Sequence, residues 1–390
     1  MLFDEVSKLV DELLPEIVQM RRDLHRHPEI ALHERESAAL VRDKLADTAI
    51  RLLPPFLGTD VVGLLDGRHP GKNFTLRADL DALPLQENGN PPYKSEIPGM
   101  CHACGHDGHT AILTGAALAL DKLRHKFMGS VRFVFQPGEE VVAAGKELVA
   151  KGALLDPVPD GVMALHGAPG LPVGVISSRP LEFYAAADFF KITILGKRAH
   201  GSKPYQSIDP ISVGCLLVQA LQAIPARRLD ALVPAVLSVC RFSSGGNGNV
   251  IPDTAILEGT TRYYQPELGA KFKQMIEQCV QGVCLTMGAS YQFEYHAPYV
   301  PTINNPEMVA FGEGVVKRHL GEKAWQDMKL PSMGAEDFAY FLQDHAGAMF
   351  HLGLGENAPS LHNPSFDFND ASVRNGVLFL VMSALDFLNQ

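Results

Sequence analysis

The 390-residue sequence is poor in several features that would assign it to a special class of protein. Its six cysteines show no disulfide framework, which favours a reducing, cytoplasmic environment. The formal net charge is −10 and no long basic run is present, so nucleic acid and anionic membranes are not expected partners. No apolar run approaches the roughly 20 residues of a membrane span, and the mixed-charge N-terminus lacks the pattern of a signal peptide. These absences predict a soluble cytoplasmic protein.

The apolar content is sufficient for two cores. Hydrophobic residues make up 46% of the chain and charged residues 20%, as in a globular protein. A chain of 390 residues exceeds one ordinary core, and two domains are therefore expected. Short apolar runs that end in charged or imidazole side chains alternate with helical segments, and these runs are 73–81, 131–140, 161–166 and 348–355. This alternation predicts an α/β domain with a mostly parallel sheet that helices cover on both faces.

A different pattern begins near Pro180 and continues to about residue 297. Its order is β-α-β-β-α-β, which is typical of a ferredoxin-like unit. The predicted elements are strand 188–196, helix 209–223, strand 235–242, strand 254–263, helix 267–287 and strand 289–296. We therefore predict a first domain from residues 1–182 and 298–390, with a second domain inserted at 183–297. The helices predicted for the first domain are 3–27, 34–45, 110–120, 306–320, 335–343 and 371–389.

One stretch, 101–109, holds two cysteines, three histidines and one aspartate. Thiolates and imidazoles are ligands that first-row divalent metals prefer. The N-terminus of the helix predicted over 110–120 lies beside this stretch and would stabilise a thiolate there. Cys101 and Cys104 also form a Cys-x-x-Cys pair, which is compatible with a redox motif or a disulfide. Because a redox pair has no need of three added histidines, the stretch favours a metal site.

Carboxylates and further imidazoles follow the predicted strands. Glu139 and Glu140 come after a strand and a Pro-Gly turn, so that one carboxylate can bind a metal while the other acts as a general base beside it. Asp79 and His166 also lie at the carboxyl ends of predicted strands, where α/β sheets bind ligands. Asp79 suits the orientation of a ligating imidazole. His362, after the last predicted strand, adds one more imidazole.

Seven motifs occur in a fixed order over nearly the whole chain. They are RADLDALP at 77–84, HACGHDGH at 102–109, QPGEE at 136–140, HGSKP at 200–204, NVIPD at 249–253, GAEDF at 334–338 and LHNP at 361–364. With these motifs the chain resembles the hippurate hydrolase and indoleacetyl-amino-acid hydrolase branch of the metal-dependent aminoacylase–carboxypeptidase superfamily. The resemblance implies a metallo-aminopeptidase-like catalytic domain and an inserted lid or dimerisation domain, with a homodimer or higher homo-oligomer formed through the lid.

The resemblance also implies roles for individual residues. The ligands of a two-metal site would be Cys104, His106, Glu140, His166 and His362. Glu139 matches the general base and acid. Asp79 is predicted to contribute to catalysis as the carboxylate that orients a ligating imidazole. His200 matches a lid histidine that reaches the partner's site in related dimers and stabilises the oxyanion; the alternative for it is a solvated loop histidine. Asn249 and Arg262 match positions that hold the substrate carboxylate, and a charge at a strand edge is the alternative for Arg262.

Two positions depart from the wider superfamily. Arg77 stands where other branches place a metal-binding histidine, as is usual for this branch, and it leaves a thinner ligand set. One of the two metals is therefore expected to be held weakly. The loop 245–249 is also richer in glycine than the family pattern, which affects how Asn249 is presented.

Together these features predict a divalent-metal amidohydrolase that cleaves N-acyl-L-amino acids to a carboxylic acid and a free amino acid. A dipeptidase or carboxypeptidase on the same site, or an N-acetyl-diaminopimelate deacetylase, is the alternative within the superfamily. Two further hypotheses are a Cys104 nucleophile paired with His106 and a catalytically silent binding protein. Cysteine, histidine and glutamate suit manganese, zinc, nickel and cobalt alike, so the sequence does not identify the metal.

Overall fold

The computed structural model describes residues 2–390 and divides them into two compact units. The first unit contains residues 2–183, 303–331 and 337–390, and the second contains residues 184–302 and 332–336. The sequence placed the boundaries at 182/183 and 297/298. The structure places them at 183/184 and 302/303, and it adds a short segment after residue 331 to the second unit.

The helices of residues 2–390 are mostly those expected from apolar periodicity. They are α1 Leu2–Arg26, α2 Arg35–Leu45, α3 His106–Lys122, α4 Glu139–Val142, α5 Ala144–Ala150, α6 Pro210–Arg228, α7 Glu267–Met287, α8 Pro306–His319 and α9 Val373–Leu388. The α-helix predicted over 335–343 is wrong, because this segment forms a 3₁₀ helix at Asp337–Phe341. Residues three apart eclipse each other in a 3₁₀ helix, and the buried rings of Phe338 and Phe341 accordingly stack at 5.4 Å.

Sixteen strands form the sheets of the described residues. They are β1 Arg51–Leu52, β2 Val61–Asp66, β3 Asn73–Asp79, β4 Ser130–Gln136, β5 Gly161–Ala168, β6 Ile176–Ser178, β7 Leu181–Tyr184, β8 Ala186–Leu195, β9 Ala199–His200, β10 Ala235–Ser244, β11 Val250–Ile251, β12 Thr254–Tyr263, β13 Ser290–Tyr299, β14 Thr302–Asn304, β15 Trp325–Asp327 and β16 Gly347–Gly353.

An eight-stranded sheet in the order β1-β2-β4-β3-β5-β16-β6-β15 organises the first unit. The central strands β4, β3, β5 and β16 are parallel to one another. The pairs β1–β2, β2–β4 and β16–β6 are antiparallel, and the edge strand β15 pairs with β6 in parallel fashion. The predicted α/β class with a mostly parallel sheet is therefore confirmed. Since parallel strands end at one edge of the sheet, the loops after β3, β4 and β5 begin close together.

Two helices close the core of this unit around α3. A Cβ at position 115 would come within 2.4 Å of the terminal Cδ1 of Ile17 in α1, so Gly115 lets the two helices approach without displacing that side chain. The segment Asp370–Leu388, which includes α9, is long and apolar enough to cross a membrane, contrary to the expectation from the sequence. Because 78% of its apolar window is buried inside the protein, it has the character of a core helix.

The second unit contains a four-stranded antiparallel sheet in the order β10-β12-β8-β13. With α6 between β8 and β10 and α7 between β12 and β13, the element order is β-α-β-β-α-β, and the ferredoxin-like prediction is confirmed. Alternate residues of β12 are buried, as expected for a strand with one face on a core. A two-stranded ribbon of β9 and β11 also belongs to this unit.

Candidate metal centre

The candidate metal centre of the first unit lies at the carboxyl edge of its parallel strands. Asp79 is the last residue of β3, and Glu139 begins α4 three residues after the end of β4. His166 lies within β5, two residues before its end. These positions agree with the expectation that strand ends bring the polar side chains together.

The helix α3 begins at His106 and not at residue 110 as predicted. Gly105 precedes it at φ +87°, a left-handed conformation that glycine adopts without strain. His106 therefore belongs to the first turn of the helix, and both His106 and Cys104 are buried. A side chain at position 108 would collide with Phe368, with a Cβ distance of 2.4 Å, so the second glycine allows this turn to pack.

Two groups of candidate ligand atoms share the thiol of Cys104. The first group is Cys104, His106 and His166, and the second is Cys104, Glu140 and His362; within each group the ligand atoms lie within 4.8 Å of one another. The Sγ of Cys104 is 3.6 Å from the Nε2 of His166. All five ligands predicted from the resemblance are thus brought together, although their role as ligands stays a prediction.

Glu140 connects these groups through one carboxylate oxygen. Its Oε1 lies 3.2 Å from the Nε2 of His362 and 3.8 Å from the Nε2 of His106. His362 reaches this position because its backbone is left-handed at φ +60° and its amide donates to the carbonyl of Ala103 at 2.7 Å. That contact ties the C-terminal segment to the cysteine–histidine stretch.

The surroundings of Cys104 oppose the thiolate form that the N-terminus of α3 would favour. Burial raises the pKa of its thiol well above the ordinary value, and the charges of Glu140 and Glu139 raise it further. A cation bound beside the sulfur would favour the thiolate.

The residues of this site fit a divalent cation. The Nδ1 and Nε2 of His106 and the Oε1 of Glu140 are buried without a hydrogen-bond partner. Burial lowers the pKa of His106, but the surrounding carboxylates, led by Asp79, raise it to about 10. Such an excess of negative charge around unpaired imidazole and carboxylate atoms is the environment in which metals bind.

Glu139 lies beside this cluster. It is buried, and its carboxylate is within 4.8 Å of ligand atoms of His106 and Glu140. Its amide donates to Asp81 at 3.1 Å. A carboxylate next to a metal ligand can accept a proton from a reacting water molecule.

Asp79 contacts His109, to which the sequence interpretation gave no individual role, and Arg77. Its Oδ1 lies 2.6 Å from the Nδ1 of His109, and its Oδ2 accepts from the Nη1 of Arg77 at 2.8 Å. His109 follows His106 by three residues in a helix, and this spacing places both on one face. The spacing was the signal that could have identified His109. The guanidinium of Arg77 also donates hydrogen bonds to Gln136 and to the carboxylate of Asp337. Its positive charge therefore stabilises the negative charge of the site.

The remaining predicted residues belong to the second unit. His200 in β9 is the register partner of Val250, and the amide of Gly201 donates to the carbonyl of Asn249 at 2.8 Å, so His200 and Asn249 are neighbours. Arg262 lies in β12, bonded to Thr260 and Thr261, with its guanidinium 5.5 Å from the ring centroid of Phe189. The three residues predicted for the lid thus lie in the second unit, and the five predicted ligands lie in the first.

An α/β unit with thiol, imidazole and carboxylate groups at its strand ends, joined to a ferredoxin-like unit, defines a two-domain metal-dependent hydrolase. The model of Peptidase family M20/M25/M40 matches residues 75–386, and the chain belongs to this family. It is thus a metal-dependent amidohydrolase.

Three relatives illustrate the similarity. N-acyl-L-amino acid amidohydrolase of Geobacillus stearothermophilus is 39% identical over 304 residues, which cover 78% of this chain and 82% of that protein. N-acetylcysteine deacetylase of Bacillus subtilis is 36% identical over 362 residues, which cover 92% of this chain and 93% of that protein. The solved structure of Bacillus subtilis YXEP, described as a dinuclear metal binding peptidase from the M20 family, matches with a TM-score of 0.83 and 31% identity, covering 97% of this chain and 99% of that chain.

Proposed function

We propose that this amidohydrolase cleaves N-acyl-L-amino acids, of the hippurate, acetyl or aryl-acyl type, to a carboxylic acid and a free amino acid. The observation that carries the proposal is a buried Glu139 beside two ligand groups that share Cys104. Relatives named as an N-acyl-L-amino acid amidohydrolase and an N-acetylcysteine deacetylase support this substrate class. Both names describe amides in which an acyl group is attached to an amino acid.

We assign the two ligand groups to two divalent ions. Cys104, His106 and His166 would hold one ion, and Cys104, Glu140 and His362 the other. Such ions would lower the pKa of a bound water molecule and would polarise the scissile carbonyl. His109 donates to Asp79 and thereby keeps that carboxylate oriented beside His106.

Glu139 moves the protons of the reaction in this proposal. Its carboxylate takes a proton from the attacking water and delivers it to the leaving amide nitrogen, so that the C–N bond breaks to a free amine. Removal of such a general base usually costs about 10²–10⁴-fold in rate.

The second unit would provide the contacts to the rest of the substrate. Ser202 donates its amide hydrogen to the Nδ1 of His200 at 3.1 Å, so the neutral ring carries its proton on Nε2. We propose that this Nε2 stabilises the oxyanion in the partner's site of a homodimer. Asn249 and Arg262 are proposed to hold the substrate carboxylate.

The test is a product-release screen on protein reconstituted separately with manganese, zinc, cobalt and nickel. The substrates are benzoyl-, acetyl- and indoleacetyl-amino acids, N-acetyl-diaminopimelate, and dipeptides with a free amine. We expect N-acyl amino acids to be hydrolysed, activity to disappear with a chelator, and activity to return with metal. The Glu139→Gln protein, prepared in parallel, controls for a contaminating hydrolase. Faster cleavage of the free-amine dipeptides than of every N-acyl substrate would instead indicate a dipeptidase.

A further inference from the structure

The turn that carries Glu139, the proposed base, depends on other segments for its conformation. Glu139–Val142 is a helix of only four residues, and so short a helix is not stable by itself in water. Gly138 at φ +66° and Ala143 at φ +49° bend the chain at its two ends. The direction of the Glu139 carboxylate therefore depends on contacts that the turn makes with other segments.

Two buried carboxylates hold the backbone amides of this turn. Asp81 accepts the amides of Glu139 at 3.1 Å and of Glu140 at 2.9 Å. Its Oδ1 also lies 3.3 Å from the Nδ1 of His106, so a change at Asp81 would disturb a proposed ligand directly. The other carboxylate, Glu34, offers a cleaner test.

Glu34 comes from the segment before α2, 104 residues away from the turn in sequence. Its Oε1 accepts the amides of Gly138 and Leu32, each at 2.9 Å, and its Oε2 accepts the hydroxyl of Thr59 at 2.9 Å. The side chain is fully buried. The hydrogen bond from Gly138 therefore connects the residue before Glu139 to the segment that precedes α2, and this segment contains none of the proposed ligands.

We propose that Glu34 is a positioning residue for hydrolysis, which fixes the amide of Gly138 and through it the direction of the Glu139 carboxylate. The inference rests on the proposed function, because it takes Glu139 as the base. A displacement of about 1 Å in a catalytic group can cost about 10²-fold in rate. Burial raises the pKa of Glu34 to about 7, so a neutral side chain of equal length is compatible with this environment.

The experiment compares Glu34→Ala with Glu34→Gln in the full-length, metal-loaded enzyme. We expect Glu34→Ala to lower kcat by about 10–100-fold, with KM and the metal content unchanged. Glu34→Gln keeps an acceptor for Gly138 and an amide that can donate to the Thr59 hydroxyl. It should therefore retain kcat within about threefold of the wild type, which is about 0.6 kcal/mol.

Glu29→Ala is the matched control. Glu29 also accepts backbone amides, those of Arg35, Glu36 and Ser37, but it makes no hydrogen bond to the turn. Its removal should lower the thermal unfolding temperature and leave kcat within about twofold of the wild type. If Glu34→Ala does not fold, Glu34→Asp replaces it, since its shorter carboxylate withdraws from Gly138 and should lower kcat in the same way.

The proposal is overturned if Glu34→Ala keeps kcat within about twofold of the wild type, or if Glu34→Gln loses as much kcat as the alanine variant. It is also overturned if kcat and metal content fall in parallel. Glu139→Ala, measured on the same substrate, separates this result from the proposed function. An active Glu139→Ala protein refutes the base itself, whereas an inactive one beside an active Glu34→Ala protein refutes only the role of Glu34.

Discussion

The Nδ1 of His109 lies 2.6 Å from the Oδ1 of Asp79, while the Nε2 of His109 accepts the amide hydrogen of Gly167 at 2.7 Å. Because Nε2 is the acceptor, the neutral ring carries its proton on Nδ1 and donates it to Asp79. The imidazole thereby connects the end of β3 to β5, next to His166. The rings of His109 and His166 are 4.5 Å apart.

Replacement of His109 by alanine should destabilise the first unit. Asp79 and the amide of Gly167 would each lose a buried partner, at a cost of about 1–3 kcal/mol per group in the free energy of unfolding. Urea denaturation of metal-free protein measures this change. The control is His125→Ala, at an exposed position, and equal destabilisation by the two substitutions would contradict the prediction.

Replacement of Glu139 by glutamine should remove turnover and leave the metals in place. The amide has the size of the carboxylate but cannot accept the proton of water, and kcat should fall by about 10²–10⁴-fold. Metal content, measured by plasma mass spectrometry on the same protein, should equal that of the wild type. Substantial remaining activity would show that another group is the base.

Replacement of His362 by alanine should remove one ion, and replacement of His166 by alanine should remove the other. His362 belongs to the group with Glu140, and His166 belongs to the group with His106. We therefore expect each single variant to retain the ion of the other group, and the double variant to retain neither. His27→Ala, an exposed histidine, is the control for metal counting. Loss of both ions in each single variant would refute two separable sites.

The thiol of Cys104 should be unreactive in chelator-treated protein near neutral pH. Its pKa is raised by burial and by Glu140, and the thiolate is the reactive form. Iodoacetamide should therefore label the exposed Cys215 and Cys240 first, as peptide mass spectrometry will show. Urea-unfolded protein is the control, in which the three thiols should react alike. Preferential labelling of Cys104 in the folded protein would favour the nucleophile hypothesis.

A buried pair that contains His25 should make stability depend on pH. Its Nδ1 lies 2.8 Å from the Oδ2 of Asp107. Burial lowers the pKa of His25, but the hydrogen bond to Asp107 and the carboxylate of Glu87, 3.5 Å from Nε2, outweigh this effect and raise it to about 9. Because the folded value lies above the ordinary 6.5, this stabilisation is complete below about pH 6.5 and is lost as the pH rises through about 9.

The corresponding measurement compares wild-type and His25→Gln protein by urea unfolding at several pH values. The difference in the free energy of unfolding should shrink between neutral pH and about pH 9. A difference that stays constant or grows over this interval would show that the charged form of His25 does not stabilise the fold.

Much of the fold could be predicted from periodicity alone. The helix α7 was predicted with the bounds that the structure has, because its apolar positions recur at helical spacing, and in the structure it ends at Gly288 with φ +71°. The strand β12 likewise matches its prediction, with alternate residues buried. The strands β2, β6 and β15 were not predicted. A short buried run such as β2 has neither helical nor alternating periodicity, so its pattern alone does not identify it.

The residues of the candidate site were likewise only partly predictable from the sequence. Metal-binding residue types indicated Cys104 and His106, strand ends indicated the pair Glu139 and Glu140, and the family resemblance implied that Glu140 is the ligand of this pair. Glu34 and Asp81 were not identified. In a sequence, an acidic residue in a loop is indistinguishable from a solvated surface charge, and only the structure shows that these carboxylates accept backbone amides. Their functional partners lie 104 residues away for Glu34 and 58 for Asp81.

The sequence by itself determined which side chains can bind metals and carry protons, and it determined the bounds of strongly periodic elements such as α7 and β12. Both depend on residue type and on spacing within about ten residues. The tertiary structure alone decided that His362 meets Glu140 and that Glu34 meets Gly138. Coordination and hydrogen bonds act over only a few ångströms, and such distances between remote segments are set by how the helices and the sheet pack.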